Sequence, residues 1–435
     1  MASPTATLTA SIEHRYRHWR MRIFAITWLA YASFYLVRKS FAVAKVAFAD
    51  DPNVQLTKPQ MGQIDSVYLI LYSLGQFIWG PLGDRLGARR VVVTGMSIAV
   101  VAAVGTGLIT AFWAFMALAA LQGIGQSSGW SALVKNMSSW FSRDERGRIM
   151  GWWCTNYAIG GLVAGIFAAE MIDLFGHWQF GFFIPALTLG LVLILFLLFQ
   201  RNRPEDIGLP PIEVLHGQRQ YVVASPGGPN QPAEGSWKAM AEVLLKPTVW
   251  ALAVSYFSLK LTRYALLFWG PMYVKEMLGT GVAESAWTSA AFELGGPLGV
   301  IAAGYASDRL FAARRIPVAV ISLSILAGVL LLADQAVAMG QLGMAAFFFA
   351  AGFFLFGPDS LIVGAAAMDF GTKKGAGTAA GWINGVGSVG SILGGLLPGY
   401  VSTSEDWSTI FALFAAAVVV TALVLLPFWK TTPGR

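Results

Sequence analysis

Apolar stretches of about 20 residues recur along the whole chain, each long enough to cross the hydrocarbon core of a membrane, which is about 30 Å thick. Only 12% of the residues are charged, about half the share found in soluble domains. Within a lipid bilayer a helix satisfies all of its own backbone hydrogen bonds. The sequence therefore predicts an all-α membrane protein.

Hydropathy predicts twelve transmembrane helices in two sets of six. A segment rich in proline, glycine and charge, 201–246, lies between the sets and reads as a linker. We therefore divide the chain into a first half (1–200), the linker (201–246) and a second half (247–435). The predicted helices cover 22–49, 62–82, 90–109, 112–140, 147–173 and 178–200, and then 247–275, 285–308, 316–335, 340–368, 376–402 and 407–429.

The distribution of positive charge predicts the orientation. Twelve spans place both termini on one side, and most of the 30 Lys and Arg residues fall in the termini and loops of that side. Only Lys58 and Lys275 fall in the opposite loops. The positive-inside rule then makes this a multi-pass cell (inner) membrane protein with both termini cytoplasmic. Topology and six cations within the helices explain the net charge of +7, and no basic soluble surface is left for nucleic acid.

Several further classes find no support in the sequence. The first 22 residues are polar and basic and do not form a cleavable signal. Cys154 is the single cysteine, so no intramolecular disulfide forms. No segment resembles a nucleotide-binding loop or a cluster of metal ligands. We therefore expect a monomeric membrane protein without cofactor, metal or ATP, and not an enzyme.

An internal repeat relates the two halves. The loop after the second helix reads GPLGDRLGARR (80–90), and the loop after the eighth reads GYASDRLFAARR (304–315). A second echo links Gly147, Gly151 and Trp152 to the same residue types at 377, 381 and 382. A single copy of the loop motif could simply obey the positive-inside rule. Two copies in register with twelve spans predict two pseudo-symmetric six-helix halves, with a site at the midplane between them.

The first loop resembles the signature of the major facilitator superfamily. The resemblance implies the fold of that superfamily and alternating access. It also implies a conformational latch, in which these loops hold helix ends together on the cytoplasmic side in the outward-open state. The latch residues are Gly80, Asp84, Arg85, Arg89 and Arg90, with Asp308 and Arg309 in the second copy.

Six cations lie within the predicted helices: Arg38, Lys39, Lys45, Lys135, Lys260 and Arg263. Each costs about 2.5–3.5 kcal/mol at a helix centre, so retaining several indicates function. The two loop copies are separated by almost the same number of positions as Arg38 and Arg263, with a difference of one. The repeat therefore makes Arg263 the counterpart of Arg38. Tyr31, Tyr35 and Lys45 share a helix face with Arg38, and Tyr256 and Lys260 share one with Arg263. Two guanidiniums converging at the midplane suit phosphate oxygens.

Intramembrane carboxylates offer an alternative, in which the cations are merely paired. The candidates are Asp65, Glu293 and Asp359. They do not follow the repeat spacing, and the cations outnumber them, so we favour an anion site for the two arginines. For Lys45, Lys135 and Lys260 the sequence leaves two roles open, contact with the substrate and local pairing. Lys39 points away from Arg38, and we favour Glu293 as an ion-pair partner.

Several segments resemble the organophosphate:phosphate antiporters. They are YASFYLVRKSFAVAK (31–45), GQSSGWSALVKNMSSWF (125–141), ERGRIMGWW (145–153), RPEDIGLPP (203–211), LTRYALLFWGPMYVKE (261–276) and KKGAGTAAG (373–381). The resemblance implies that Arg38 and Arg263 clamp phosphate, with Tyr31, Tyr35 and Lys135 nearby. The glycerol-phosphate branch has histidine, lysine and tyrosine where this chain has Tyr157, Gln76 and Lys260, and we count Tyr157 among the predicted substrate-binding residues. Several segments look closer to the sugar-phosphate exchangers.

The implied function is exchange of an organic phosphate ester for inorganic phosphate across the bilayer. The ester would be a sugar phosphate, a glycerol phosphate or a phosphoglycerate. Two alternatives stay open: a membrane sensor of external sugar phosphate, and a proton-coupled organic-anion symporter that uses Asp65 or Glu293.

Overall fold

The computed structural model describes residues 4–48, 51–141, 149, 152–212, 245–312, 314–362, 376–404 and 406–430. Within these residues the chain forms twelve helical spans and no strand, which confirms the predicted fold class. The spans are α1 (Pro4–Phe48), α2 (Lys58–Leu86), α3 (Ala88–Thr106), α4 (Phe112–Ser127 and Gly129–Trp140), α5 (Thr155–Phe175), α6 (Phe180–Phe199), α7 (Pro247–Leu278), α8 (Val282–Arg309), α9 (Arg315–Leu331 and Ala333–Ala338), α10 (Gly340–Ser360), α11 (Ala376–Ser404) and α12 (Trp407–Leu425).

Five spans in the described chain are long and apolar enough to cross a membrane by length and composition: α3, α5, α6, α10 and α12. Others are interrupted, as α4 and α9 are, or carry charge, as α1 and α7 do. Three charged side chains in the central parts of α1 and α2 face protein, since Lys39 is 7%, Lys45 0% and Asp65 5% exposed. The less apolar helices therefore turn polar groups toward the interior of the bundle.

Local sequence signals fix the ends of α2. Thr57 caps its first turn, accepting from the Gln60 N–H at 3.4 Å while the Gln60 side chain accepts from the Thr57 N–H at 2.9 Å. At the other end Gly87 has a φ of +83°, a conformation that favours glycine. The chain therefore passes directly from α2 into α3.

The first helix is longer than predicted. It begins at Pro4 rather than at residue 22, because hydropathy detects only the membrane-embedded part of a helix. Tyr16 in the polar extension is buried, with its ring 6.1 Å from the ring of Trp140 in α4. The extension is thus held by packing against its own half.

Helix packing follows the predicted repeat. In the first half α1 packs on α5 and α6, α2 on α4, and α3 on α4 and α6. In the second half α7 packs on α11 and α12, α8 on α10, and α9 on α10 and α12, so each contact has its counterpart six helices later. Close approach of α11 to α7 depends on Gly390 and Gly394, where a Cβ would collide with the backbone of Phe257 and Leu261. These are the two pseudo-symmetric halves of the predicted fold.

Polar contacts between described residues join the ends of the two halves on one side of the bundle. We call the side with the start of α1 and the end of α12 the terminal side, and the other the opposite side. On the opposite side Lys58 pairs with Glu276 at 2.9 Å, Lys275 donates to the Val46 carbonyl at 2.8 Å, and Trp287 donates to Glu170 at 2.8 Å. We call this set of contacts the seam. It closes the bundle on the opposite side.

Most of the predicted latch cannot be compared with the structure. The side chains of Gly80, Asp84, Arg85 and Asp308 lie outside the described residues, as do residues 213–244 of the predicted linker. The latch and the domain limits therefore stay predictions.

Three latch arginines are described. Arg89 donates to the Leu197 carbonyl, and its backbone N–H donates to Asn202 Oδ1 at 2.9 Å. It therefore ties the start of α3 to the end of α6. Arg90 is exposed. Arg309 is exposed as well, with its guanidinium 5.5 Å from the Tyr305 ring.

Candidate functional site

A cavity of about 250 Å³ lies between the halves. Arg38 of α1 and Arg263 of α7 both line it, so the structure brings together the two arginines that the repeat spacing singled out. Cys154 and Ile301 lie on the terminal-side portions of their segments, so the cavity extends from the arginines toward that side. Among the described residues, those that line it are Tyr35, Arg38, Cys154, Thr155, Tyr157, Arg263, Tyr264, Leu267, Glu293, Pro297, Val300, Ile301 and Phe356.

Arg38 is held by neutral groups. Its Nε donates to Gln126 Oε1 at 2.8 Å, and the Tyr68 hydroxyl donates to the same oxygen at 2.9 Å. The guanidinium lies 4.5 Å from the ring of Tyr35 and 4.9 Å from the ring of Tyr72. Among the described residues it forms no ion pair, and its buried Nη2 has no hydrogen-bond partner. The guanidinium is thus fixed through Nε, and its Nη2 is left without an acceptor among the described residues.

Arg263 has a charged neighbour. Its Nη1 lies 3.2 Å from Asp359 Oδ2, and its guanidinium lies 4.3 Å from the Phe356 ring. Arg263 Nε and Asp359 Oδ1 are both buried without a partner among the described residues. The pair is therefore a single-point contact rather than the two-point fork that Arg and carboxylate can form.

The predicted tyrosines fall into two groups. Tyr35 and Tyr157 line the cavity. Tyr31 is buried behind Tyr35, with their rings 6.0 Å apart. Tyr256 is also buried, and Lys260 Nζ lies 4.9 Å from its ring. Tyr31, Tyr256 and Lys260 therefore surround the cavity without lining it.

Neither Lys45 nor Lys135 reaches the cavity in this conformation. Lys45 forms a fully buried ion pair with Asp65, donates to the Phe268 carbonyl at 3.3 Å and lies 4.0 Å from the Trp269 ring. Lys135 donates to the Gly83 carbonyl at 3.4 Å, in the signature loop on the terminal side. For Lys45 the structure shows the local pairing that the sequence left open.

A further ion pair joins the halves at the edge of the cavity. Lys39 lies 3.3 Å from Glu293, and its ammonium donates to the Leu267 carbonyl at 3.4 Å. The sequence predicted that Lys39 points away from Arg38 and that Glu293 is an ion-pair partner. In the structure Lys39 and Glu293 pair with each other.

Sequence reasoning missed the neutral groups around Arg38 and the partner of Arg263. Tyr68 and Tyr72 are spaced four apart on α2, and this signal could have placed both on one helix face. Nothing in the sequence marks Gln126 as their common partner. Asp359 was considered only as one of three carboxylates, because it has no counterpart in the repeat.

Comparison with known proteins agrees with this architecture. Residues 27–394 and 278–435 match the Major Facilitator Superfamily model. The membrane sensor protein UhpC of Salmonella typhimurium is 34% identical, over 100% of this chain and 97% of that protein. A probable hexose phosphate transport protein of Chlamydia trachomatis is 29% identical, over 97% of this chain and 93% of its own length.

The fold also matches a solved structure. A bacterial homolog of the human lysosomal transporter Spinster, in an inward-facing and unoccupied conformation, superposes with a TM-score of 0.72 over 94% of this chain and 95% of that chain. At 15% identity this likeness concerns the fold alone. The chain therefore belongs to the major facilitator superfamily and, within it, to the family that includes UhpC and the probable hexose phosphate transport proteins.

Proposed function

We propose that this protein is an antiporter that exchanges an organic phosphate ester for inorganic phosphate. The main support is that two guanidiniums from opposite halves, those of Arg38 and Arg263, line one cavity. Each also has a buried N–H without a partner among the described residues. Phosphate oxygens suit such donors in charge and geometry. The resemblance to hexose phosphate transport proteins supports a sugar phosphate as the ester.

The pair of arginines also suggests why transport would be an exchange. Closing the cavity removes the guanidiniums from water, and this costs several kcal/mol for an ion that, like Arg38, has no counter-anion among the described residues. A bound phosphate dianion offsets this cost and draws the halves together. Loaded reorientation is then fast and empty reorientation slow, and the opposing phosphate gradient supplies the energy.

The proposed cycle alternates between this arrangement and one in which the seam is open. The terminal side would be cytoplasmic because most Lys and Arg residues lie there. The protein would then lie in the inner membrane, with its cavity facing the cytoplasm in this conformation. One chain supplies both arginines, so the proposed transport unit is the monomer.

Counterflow in proteoliposomes tests the proposal. Vesicles loaded with inorganic phosphate should take up a labelled hexose, glycerol, triose or glycerate phosphate, and vesicles without internal phosphate should take up far less. The ester with the fastest counterflow identifies the substrate. Uptake that follows a pH gradient and needs no internal phosphate would contradict exchange and favour a proton-coupled symporter.

A sensor is the second candidate, because UhpC, a membrane sensor protein, is 34% identical over the full chain. A sensor would bind the ester but exchange little of it. Binding of labelled ester to the purified protein, compared with flux in the same preparation, separates the two. Tight binding with negligible flux would overturn the antiporter proposal.

A further inference from the structure

The two arginines of the cavity differ in charge environment although the repeat relates them. Arg38 is fixed by the neutral Gln126 amide, whereas Arg263 lies against the Asp359 carboxylate. Within the described chain Asp359 therefore partly neutralises Arg263, whereas no carboxylate pairs with Arg38. The two arms of the clamp are therefore unequal before any ligand binds.

The contact between Arg263 and Asp359 is incomplete. One nitrogen meets one oxygen at 3.2 Å, while Arg263 Nε and Asp359 Oδ1 stay without partners among the described residues. Arg263 lines the cavity, and its side chain and that of Asp359 are 22% and 13% exposed, so the pair is not sealed. A buried donor and acceptor that are both unpaired make the contact easier to exchange for a better one.

We infer that Asp359 is a resident counter-ion, which occupies Arg263 in the empty site and which the incoming phosphate must displace. The inference rests on the proposed function, since it takes phosphate as the ligand. It assigns Asp359 a role in setting phosphate affinity. Arg38 becomes the first contact of the ligand and Arg263 the second.

The surroundings of Arg263 suit such a displacement. The Phe356 ring lies 4.3 Å from the guanidinium and holds it by a contact that does not involve Asp359. Arg263 therefore keeps its place in the cavity when the carboxylate leaves. A phosphate carries more charge and more acceptor oxygens than the single oxygen that Asp359 presents, and it meets Arg38 at the same time.

A resident counter-ion also changes the empty protein. When Asp359 pairs with Arg263, closing the empty cavity desolvates one unpaired positive charge instead of two. Return of the empty carrier becomes easier, so some net efflux accompanies exchange. Removing the carboxylate charge should raise phosphate affinity and make the coupling stricter.

Equilibrium binding of labelled inorganic phosphate to purified protein tests the inference. Asp359→Asn and Asp359→Ser should each bind phosphate about tenfold or more tightly than the unaltered protein, in line with coupling energies of close charge pairs. Asp359→Glu should stay near the unaltered protein. In vesicles, efflux into phosphate-free medium should fall relative to exchange in the Asn variant.

Two comparisons make the test specific. Asp334→Asn removes the same charge at an exposed position on the opposite side, and it should leave phosphate binding unchanged. In an Arg263→Gln background, Asp359→Asn should give no gain, because its target is gone.

The possible failures can be told apart. Unchanged or weaker phosphate binding by the folded Asn and Ser variants would show that Asp359 only positions Arg263, and would overturn the inference alone. If neither the unaltered protein nor these variants bound phosphate, the proposed function would fail together with the inference.

Discussion

Two intramembrane ion pairs, Lys45–Asp65 and Arg263–Asp359, have similar charges and different surroundings. The first is sealed, with side chains 0% and 6% exposed, and its ammonium is also satisfied by the Phe268 carbonyl. The second is 22% and 13% exposed and leaves one donor and one acceptor without partners in the described chain. A complete pair supports the fold, whereas an incomplete pair beside a cavity is available to a ligand.

Position along the helix accounts for the difference. Lys45 lies on the same face of α1 as Arg38 but two turns closer to the opposite side, where the halves touch. There Trp269, which donates to the Gly395 carbonyl at 2.8 Å, covers its ammonium. Arg263 lies at the level of the cavity, where the halves are apart.

The largest effect is expected from breaking the sealed pair. Lys45→Met leaves Asp65 buried without its partner and should lower the free energy of unfolding by about 3–5 kcal/mol. The double variant Lys45→Met/Asp65→Leu should recover most of this loss, because no charge is left unpaired. Thermal unfolding of the purified protein measures both. A single variant as stable as the unaltered protein would remove the distinction between the two pairs.

Replacing the cavity arginines should act on transport and not on stability. Arg38→Lys and Arg263→Lys keep the charge but lose the planar fork of donors. One lost charge-assisted hydrogen bond is worth about 1.5–3 kcal/mol, so phosphate exchange should fall roughly ten- to a hundredfold. The unfolding temperature, measured on the same samples, should stay close to that of the unaltered protein. Near-normal exchange by either variant would contradict the central site.

Gln126→Glu tests whether Arg38 and Arg263 differ in phosphate binding only because one has a neutral partner and the other a charged one. The variant keeps an acceptor for Arg38 Nε but supplies a charge, which gives Arg38 the kind of neighbour that Arg263 has. Phosphate affinity should fall about tenfold, because the ligand now competes with a carboxylate at both arms. Gln126→Met is the neutral control, and it should weaken binding less. Equal losses in both variants would mean that Gln126 acts through shape alone.

The smallest effect is expected at Lys260, which lies beside the cavity wall. Lys260→Tyr should weaken ligands with two anionic groups by up to about tenfold, and inorganic phosphate least, because both arginines still hold it. Competition of each ligand against labelled phosphate provides the measurement. An equal loss for all ligands would assign Lys260 to the packing of α7 against α11, where its stem meets Gly387.

The fold and the arginine pair were predictable from the sequence for physical reasons. Hydropathy predicts the spans because a segment that crosses lipid must form a helix. The repeat makes Arg263 the counterpart of Arg38 because the two halves have the same arrangement of helices. The partners were not predictable in this way. Helix periodicity predicts which face of α1 Lys45 lies on, but not how close it lies to the seam. The repeat cannot predict Asp359, because Asp359 has no counterpart in the first half.

The cavity wall also contains the only sulfhydryl group of the chain. Cys154 lines the cavity near Tyr157, in a segment that leads to the terminal side. A membrane-impermeant thiol reagent applied from one side will therefore modify the protein at a rate that follows the opening of the cavity to that side. Occupancy by phosphate should slow the modification. The native chain thus carries a chemical reporter of its own alternating access, with no engineered label.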